Sequence, residues 1–357
     1  MTNDGNTIKK TKAFETYQFA GMALDPIHVG TGGTRLGRVD STIVRDPVTR
    51  IPKIPGSSLA GVMRAYTAMA KEKYPHCAGL GQPERDGAGG HCGQADCPVC
   101  TVFGFAKGIG SSGGFAGLAA FSDMQVLLFP VASQLGPRWI TCPMALRQTG
   151  IEAFSKLEDP PEQQIIIYRK SDGTADQTSL NLGWLLLPVK TDWPQLDNIS
   201  EELTKLSIPE YIIPRPRVVS EHIINRLGVV SDKLFIHIVN SNLEVRTSVA
   251  IDPATGAAEE GALFTYEALP RGTVLFWELT CRNPKHFHIN QNDVQVVNSP
   301  EEVRDVVTAA HVYLEHLGIG GMGSRGMGRL RVLNNGVSKT EHASLSGKET
   351  HDEHANL

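Results

Sequence analysis

SPEEVRDVVTAAHVYLEHLGIGGMGSRGMGRLRVLNN, residues 299–335, decides how this chain is folded. Its first half reads as a helix. Ser299 can cap it, Pro300 suits its first position, and Glu302 completes a capping box. Val303, Val306, Val307, Ala310, Leu314 and Leu317 recur at helical spacing as one apolar stripe. Gly318 ends the helix, and GRLRVLNN follows as a strand. The stretch 318–330 between them holds six glycines in thirteen positions, and its opening, GIGGMG, fits G-x-G-x-x-G. That fingerprint binds a dinucleotide only where it leaves a strand and opens a helix, so that the helix N-terminus faces the pyrophosphate. Here the order is reversed, and a helix C-terminus repels phosphate. A doubly wound parallel sheet is therefore excluded. The glycines still expose backbone N–H groups and admit another chain closely, and Arg325 among them offers a fork for phosphate.

Working outward, FETYQFAGMALDPIHVG (14–30) opens as a strand and runs into a Gly/Thr-rich loop, GTGGTRLG. VDSTIVRDP (39–47) is short, β-branched and bounded by turns. IPKIPGSSLAGVMRAYTAMAKE (51–72) opens a helix that Ser57 or Ser58 can cap, with Leu59, Val62, Met63 and Tyr66 at helical spacing. Residues 75–115 are rich in Gly and Cys and read as irregular. GLAAFSDMQVLLFPV (117–131) reads as strands, 155–232 as insertion and connecting structure, and TVLFWELTCR (273–282) as a strand. Two strands flank a polar loop, DPATGAAEEG (252–261). The tail after Val337 is polar and expected to be disordered. The order β, α, several β, helix, β suits an α+β sheet fold of ferredoxin-like type with long insertions.

The chain has 357 residues, 41% hydrophobic and 20% charged, with a net charge of −4. No run of 18 apolar residues occurs and no apolar core follows the first lysines, so a cytoplasmic protein is expected. Bulk charge does not favour nucleic acid, but charge is uneven. Residues 34–75 carry eight basic side chains (Arg35, Arg38, Arg45, Arg50, Lys53, Arg64, Lys71, Lys73) against three acids (Asp40, Asp46, Glu72). A local positive field of that kind serves phosphate contact.

Four of the six cysteines crowd into residues 77–100. In a cytoplasmic chain this favours metal over disulfides. HCGQADCPVC (91–100) contains C-x4-C-x2-C, so Cys97 and Cys100 can grip one ion with Cys92 as third ligand. Tetrahedral zinc needs a fourth, for which Cys77, His91 and His76 are candidates. Cys77 is preferred, because His91 adjoins Cys92. Such a closed set makes the metal structural. Cys142 and Cys281 sit in apolar strands and read as core.

No P-loop or H-E-x-x-H occurs. The chemically rich stretch is HVGTGGTRLGRVDSTIVRDP (28–47), with His28, Asp40 and Arg45 on or beside glycine-rich loop. A carboxylate there can bind a hydrated divalent ion or orient a ribose 2′-OH. Asp25 and Asp46 precede prolines and read as turn residues. Glu267, by itself, reads as exposed.

Together these pieces resemble the RAMP superfamily of CRISPR proteins, above all the repeated backbone subunit of type III effector complexes. HVGTGG, LGRVD, IVRDPVT and PKIPGSSLAGVMR, spread over 28–64, look like that family's N-terminal signature, and GGMGSRGMGRL (320–330) looks like its glycine-rich loop. Residues 116–146 and 245–272 look like the type III-B (Cmr) version, whereas the GSRGMG ending is more like type III-A (Csm). The resemblance implies a modified RRM-like fold, a single domain over 1–336 with a Cys-rich zinc insertion at 71–115, an insertion or lid at 155–232 and a thumb hairpin at 243–270. It implies copies stacked along a guide crRNA beside a large polymerase/cyclase subunit, small helical subunits and other RAMP subunits. It further implies cleavage of complementary target RNA beside each thumb, with Asp40 as the key residue, His28 and Glu267 as its companions, and a divalent cation such as Mg2+. A purely structural guide-binding subunit is the alternative. The expected RNA contacts are Arg38, Arg45, Lys53, Ser57, Ser58 and Arg64 near the signature and Gly320, Gly321, Gly323, Arg325 and Gly326 in the glycine loop.

Overall fold

The computed structural model describes residues 12–32, 39–79, 90–106, 113–167, 178–191, 193–206, 223–289 and 291–338. Its strands are β1 (Phe14–Ala23), β2 (Lys53–Ile54), β3 (Ala119–Phe121), β4 (Met124–Val131), β5 (Arg138–Thr141), β6 (Ile165–Ile167), β7 (Ser179–Leu182), β8 (Leu185–Lys190), β9 (Leu227–Val229), β10 (Glu244–Ile251), β11 (Ala258–Ala268), β12 (Val274–Arg282), β13 (His288–Ile289), β14 (Asn292–Asp293), β15 (Leu330–Val332) and β16 (Val337–Ser338). The helices are α1 (Gly56–Ala70), α2 (Pro98–Phe103), α3 (Pro143–Arg147), α4 (Glu152–Ser155), α5 (Gln195–Lys205), α6 (Asp232–Ser241), α7 (Pro300–Thr308) and α8 (His311–Leu317). None is long and apolar enough to cross a membrane.

Twelve strands join one mixed sheet, ordered β15-β1-β12-β4-β5-β9-β6-β8-β7, with β16 also on β1, β2 on β4 and β3 on β12. The first four strands of that order are mutually antiparallel. Side chains alternate across a strand, and β1 feeds two cores. Tyr17 and Phe19 enter one with Trp277, Leu59, Val303 and Leu314; Ala20 and Met22 enter the other with Phe276, Leu128 and Leu146. Coverage on both faces explains why every residue from Tyr17 to Ala23 is buried. α1 packs on β3, α7 and α8, and α7 packs on β1 and β12. Cys142 and Cys281 are fully buried in this core.

Local rules hold in part. Ser299 caps α7 by accepting from the Glu302 amide, but Glu302 reaches back to the Asn298 amide at 2.9 Å, not to Ser299. The expected single helix is two, broken at Ala309 and Ala310, and the bend leaves Leu317 exposed outside the apolar stripe. Neither Ser57 nor Ser58 caps α1. The helix follows Pro55, and the Asp123 carboxylate accepts the Gly56 amide at 2.8 Å. The weakly patterned 155–232 region supplies β6 to β9, strands of three to six residues too short to carry a clear period. Its apolar side chains, Ile166, Leu196, Ile199 and Leu227 among them, join the second core. The sheet also continues past 336: β16 pairs with β1 at Tyr17 and Gln18, and Ser338 donates to Glu15 at 2.9 Å. Residues 339–357 lie outside the described residues.

β10 and β11 stand apart as a two-stranded hairpin in the register Glu244↔Ala268 to Val249↔Leu263. Its turn is set by Asp252, whose carboxylate accepts from the Ala254 amide and the Thr255 hydroxyl. Val245, Val249, Ile251 and Leu263 leave one face of it apolar and exposed.

Candidate functional site

The VDSTIVRDP stretch forms isolated bridges rather than a full strand, and one of them lays Ser41 parallel to Tyr266 of the hairpin. The Ser41 amide donates to the Thr265 carbonyl and the Glu267 amide to the Ser41 carbonyl, both at 3.0 Å. This stitching brings Asp40 to the hairpin root. Its Oδ2 accepts from the Thr265 amide at 2.7 Å and the Thr265 hydroxyl at 2.9 Å. The Asp40 amide donates to the same hydroxyl at 3.1 Å. The side chain is exposed, and the bonds from Thr265, its backbone first, hold the carboxyl below the usual carboxylate range.

His28 lies beneath this layer, 6% exposed, with its ring edge-on to Tyr266. Nδ1 is 2.6 Å from the Glu267 carbonyl oxygen and Nε2 is 3.4 Å from Ser41 Oγ. A carbonyl only accepts, so Nδ1 carries the proton. His28 therefore supports the Ser41 stretch from within. Glu267 is not exposed as expected. Its Oε2 pairs with Arg45 Nη2 at 2.8 Å and accepts from the Ile43 amide, and both side chains of the pair are more than four-fifths buried. Arg45 also donates to Asn240 on α6 and to the Ile43 carbonyl. This pair fastens residues 43–45 to the hairpin.

The expected RNA contacts divide. Arg45 places three of its N–H donors on protein acceptors. Lys53 pairs with Asp123 at 2.7 Å. Arg64 is mostly buried and donates to the carbonyls of Cys77 and Gly104, both at 2.6 Å, and to His91 Nδ1 at 2.8 Å. Each of the three is already paired with groups of the chain itself. Ser57 is exposed and Ser58 half-buried. Arg38 lies outside the described residues.

The glycine loop closes onto the same place. The Gly321 amide donates to the His28 carbonyl at 2.8 Å. Gly320 has φ +90°, and a Cβ there would run into that carbonyl oxygen. Gly323 has no atom within 3.8 Å of a built Cβ, and Gly326, with φ +76°, opens on empty space. The Arg325 guanidinium lies 5.8 Å from the centre of the Phe264 ring on the hairpin. Gly320→Ala is therefore expected to lower the melting temperature, by roughly 2 kcal/mol or more of strain. Gly323→Val is expected to melt as wild type and to lose guide RNA affinity in a gel-shift assay. Normal guide binding by Gly323→Val would make the loop a turn and nothing more.

A second centre lies at the Cys-rich knuckle. The Sγ atoms of Cys77, Cys92, Cys97 and Cys100 all lie within 4.8 Å of one another. Cys92 and Cys100 are 3.7 Å apart, Cys77 and Cys97 3.9 Å. Four thiolates about 2.3 Å from one tetrahedral ion sit roughly 3.8 Å apart, so the set fits a metal ion. Proton sharing now splits the thiols: bonds from Cys100 pull Cys92 down, while those to Cys77 and Cys92 push Cys100 up. The four cysteines group without a histidine: His91 accepts from Arg64 at Nδ1, and His76 is exposed. Three of the four cysteines are buried, which leaves no open position for substrate.

Sequence reasoning missed Thr265, Ser41 and Asn240. No local signal marks them, since each matters through a partner far away in the chain, 225 residues for Thr265 and Asp40.

Comparisons with known proteins bear on the fold and the family. The model of the RAMP superfamily matches residues 22–331. A CRISPR system Cmr endoribonuclease, Cmr4 of Pyrococcus furiosus, is 26% identical over 317 residues, 87% of this chain and 92% of that protein. A CRISPR system Cms endoribonuclease, Csm3 of Methanothermobacter thermautotrophicus, is 37% identical over 90 residues, 25% of this chain and 32% of that protein. Among solved structures, a type III-B Cmr-beta complex bound to cognate target RNA contains a chain that superposes with a TM-score of 0.57 at 17% identity, covering 90% of this chain and 99% of that one. A crystal structure of Cmr4 superposes with a TM-score of 0.53 at 19% identity, covering 89% and 98%. Both likenesses concern the mixed α+β fold.

Proposed function

The chain belongs to the RAMP superfamily, and from that premise we propose that it is a guide-binding backbone subunit of a type III CRISPR ribonucleoprotein and the endoribonuclease that cuts the complementary target RNA. The names of its relatives, both CRISPR endoribonucleases, support the reading. The observation that carries it is Asp40: an exposed carboxylate held below the usual carboxylate range and fixed by Thr265 at the root of the hairpin.

The hairpin at 243–270 acts as a thumb that splays the target strand. A flipped nucleotide brings its 2′-oxygen in line with its own phosphate. Asp40 accepts a hydrogen bond from the 2′-OH and orients it. The O2′–P bond forms and the P–O5′ bond breaks. Solvent water takes the 2′ proton and returns one to the departing 5′-oxygen, giving a 2′,3′-cyclic phosphate and a 5′-OH. A divalent cation such as Mg2+, when bound, would supply charge stabilisation here, although the described residues gather no set of three ligand side chains beside Asp40. His28 and the Glu267–Arg45 pair act as supports of the Asp40 stretch.

Gly320, Gly321, Gly323 and Gly326 line the guide groove, with Arg325 meeting a phosphate. Zinc in the Cys77, Cys92, Cys97 and Cys100 set holds the 71–115 insertion together. The chain order β1, α1, β4, β12, α7–α8, β15 with the sheet order β15-β1-β12-β4 supports a ferredoxin-like, RRM-like centre. Copies stack along the guide with the other type III subunits in the cytoplasm. Purification of the assembled complex is expected to yield co-purified RNA of defined length. A preparation free of RNA removes the reading.

A further inference from the structure

Glycine-rich loops leave a side chain free to turn, whereas cleavage needs a carboxylate in one orientation. Asp40 follows a glycine-rich sequence and adjoins the hairpin, and among the described residues Thr265 orients it. Thr265 uses both its amide and its hydroxyl on one oxygen, Oδ2, and the hydroxyl also accepts the Asp40 amide. This closes a three-bond clamp at both ends of the Asp40 side chain. The neighbouring bonds through Ser41 lock the clamp to the register of β11.

We propose that Thr265 is a positioning residue for target-RNA cleavage, clamping Oδ2 of Asp40 so that Oδ1 alone is presented to the substrate 2′-OH. The proposal rests on the reading of Asp40 as the cleaving carboxylate. It assigns the two oxygens different work, one anchored in protein and one left for RNA. It also makes the cutting group a part of the hairpin, because the clamp residue is a hairpin residue. Among the described residues, the charged and titratable groups on the surrounding elements include His28 beneath Ser41, Tyr266 against it, Glu267 neutralised by Arg45, and Arg325 over Phe264. The bonds that depress the Asp40 carboxyl come from Thr265, so cleavage by the native chain persists as pH falls through the ordinary carboxylate range.

The test uses the full guide-loaded complex with Thr265→Val, Thr265→Ser and Asp40→Ala chains. Single-turnover cleavage of complementary RNA is followed across pH, with guide binding measured in parallel. Valine keeps the shape and loses the hydroxyl. It is expected to cut about ten- to a hundredfold more slowly at the optimum and to move the acid limb of the profile to higher pH, with guide binding unchanged. Serine restores both rate and limb. A valine variant with native rate and limb, beside an inactive Asp40→Ala, overturns the proposal and leaves the reading of Asp40 standing. So does a slower valine variant whose acid limb has not moved, or one that no longer binds guide, since either is a structural defect. Native cleavage by Asp40→Ala overturns the reading of Asp40 and the proposal with it.

Discussion

Asp40→Ala is expected to slow target-RNA cleavage by about 100-fold or more, the scale on which loss of an orienting group acts, with guide binding and assembly intact. The side chain is exposed, so its loss creates no cavity. Water can take its place on the Thr265 amide and hydroxyl, and the backbone bonds of Ser41 to the hairpin remain. Cleavage and assembly should therefore separate cleanly in this one variant. Single-turnover cutting of a complementary RNA, beside sizing of the guide-bound complex, measures both. Unchanged cleavage would leave a guide-binding subunit without catalysis, the alternative that the sequence admits.

Cys97→Ser is expected to empty the knuckle and to lower the melting temperature by about 10 °C, because structural zinc contributes on the order of 10 kcal/mol to small domains and each kcal/mol shifts a chain of this size by about 1 °C. Metal analysis should fall from about one ion per chain to near none. Ligation needs thiolates, so metal retention should also weaken as pH falls and protons compete for sulfur. The damage should spread along α1. Arg64 on that helix holds the Cys77 and Gly104 carbonyls, and Tyr66, two residues on, donates to the Gly318 carbonyl at 2.6 Å. Equal metal content in the wild type and Cys97→Ser would reject the assignment.

What could be read from the residues was whatever depends on near neighbours. The run TVLFWELTCR is a strand because its side chains suit a sheet buried on both faces, and Cys92, Cys97 and Cys100 declare themselves by spacing. What could not be read depends on distant partners. The basic segment looked like a surface for phosphate. Yet Arg45, Lys53 and Arg64 are matched by Glu267, Asp123 and carbonyl oxygens, and charge counting is blind to such pairing. The α1 cap comes from a residue 67 positions away, so a serine at the expected place was a fair reading and a wrong one. Glu267 shows the same limit in reverse: its motif pointed outward, and its partner turned it in.

The parallel bridge between Ser41 and Tyr266 makes the hairpin a ruler with its zero mark at Asp40. The turn at Gly256 lies nine residues along the chain from Thr265, about 30 Å of extended strand. Adding or removing a pair of residues within 252–261, one on each strand, changes the reach of the tip by about 3.4 Å and leaves the zero mark where it is. A slip of one residue between Leu263 and Thr265 does the opposite. It keeps the length, turns Thr265 to the other face of the strand, and takes the scale off its origin. The place of the cut and the reach of the thumb can thus change independently, the first through the register of β11 and the second through the length of its loop.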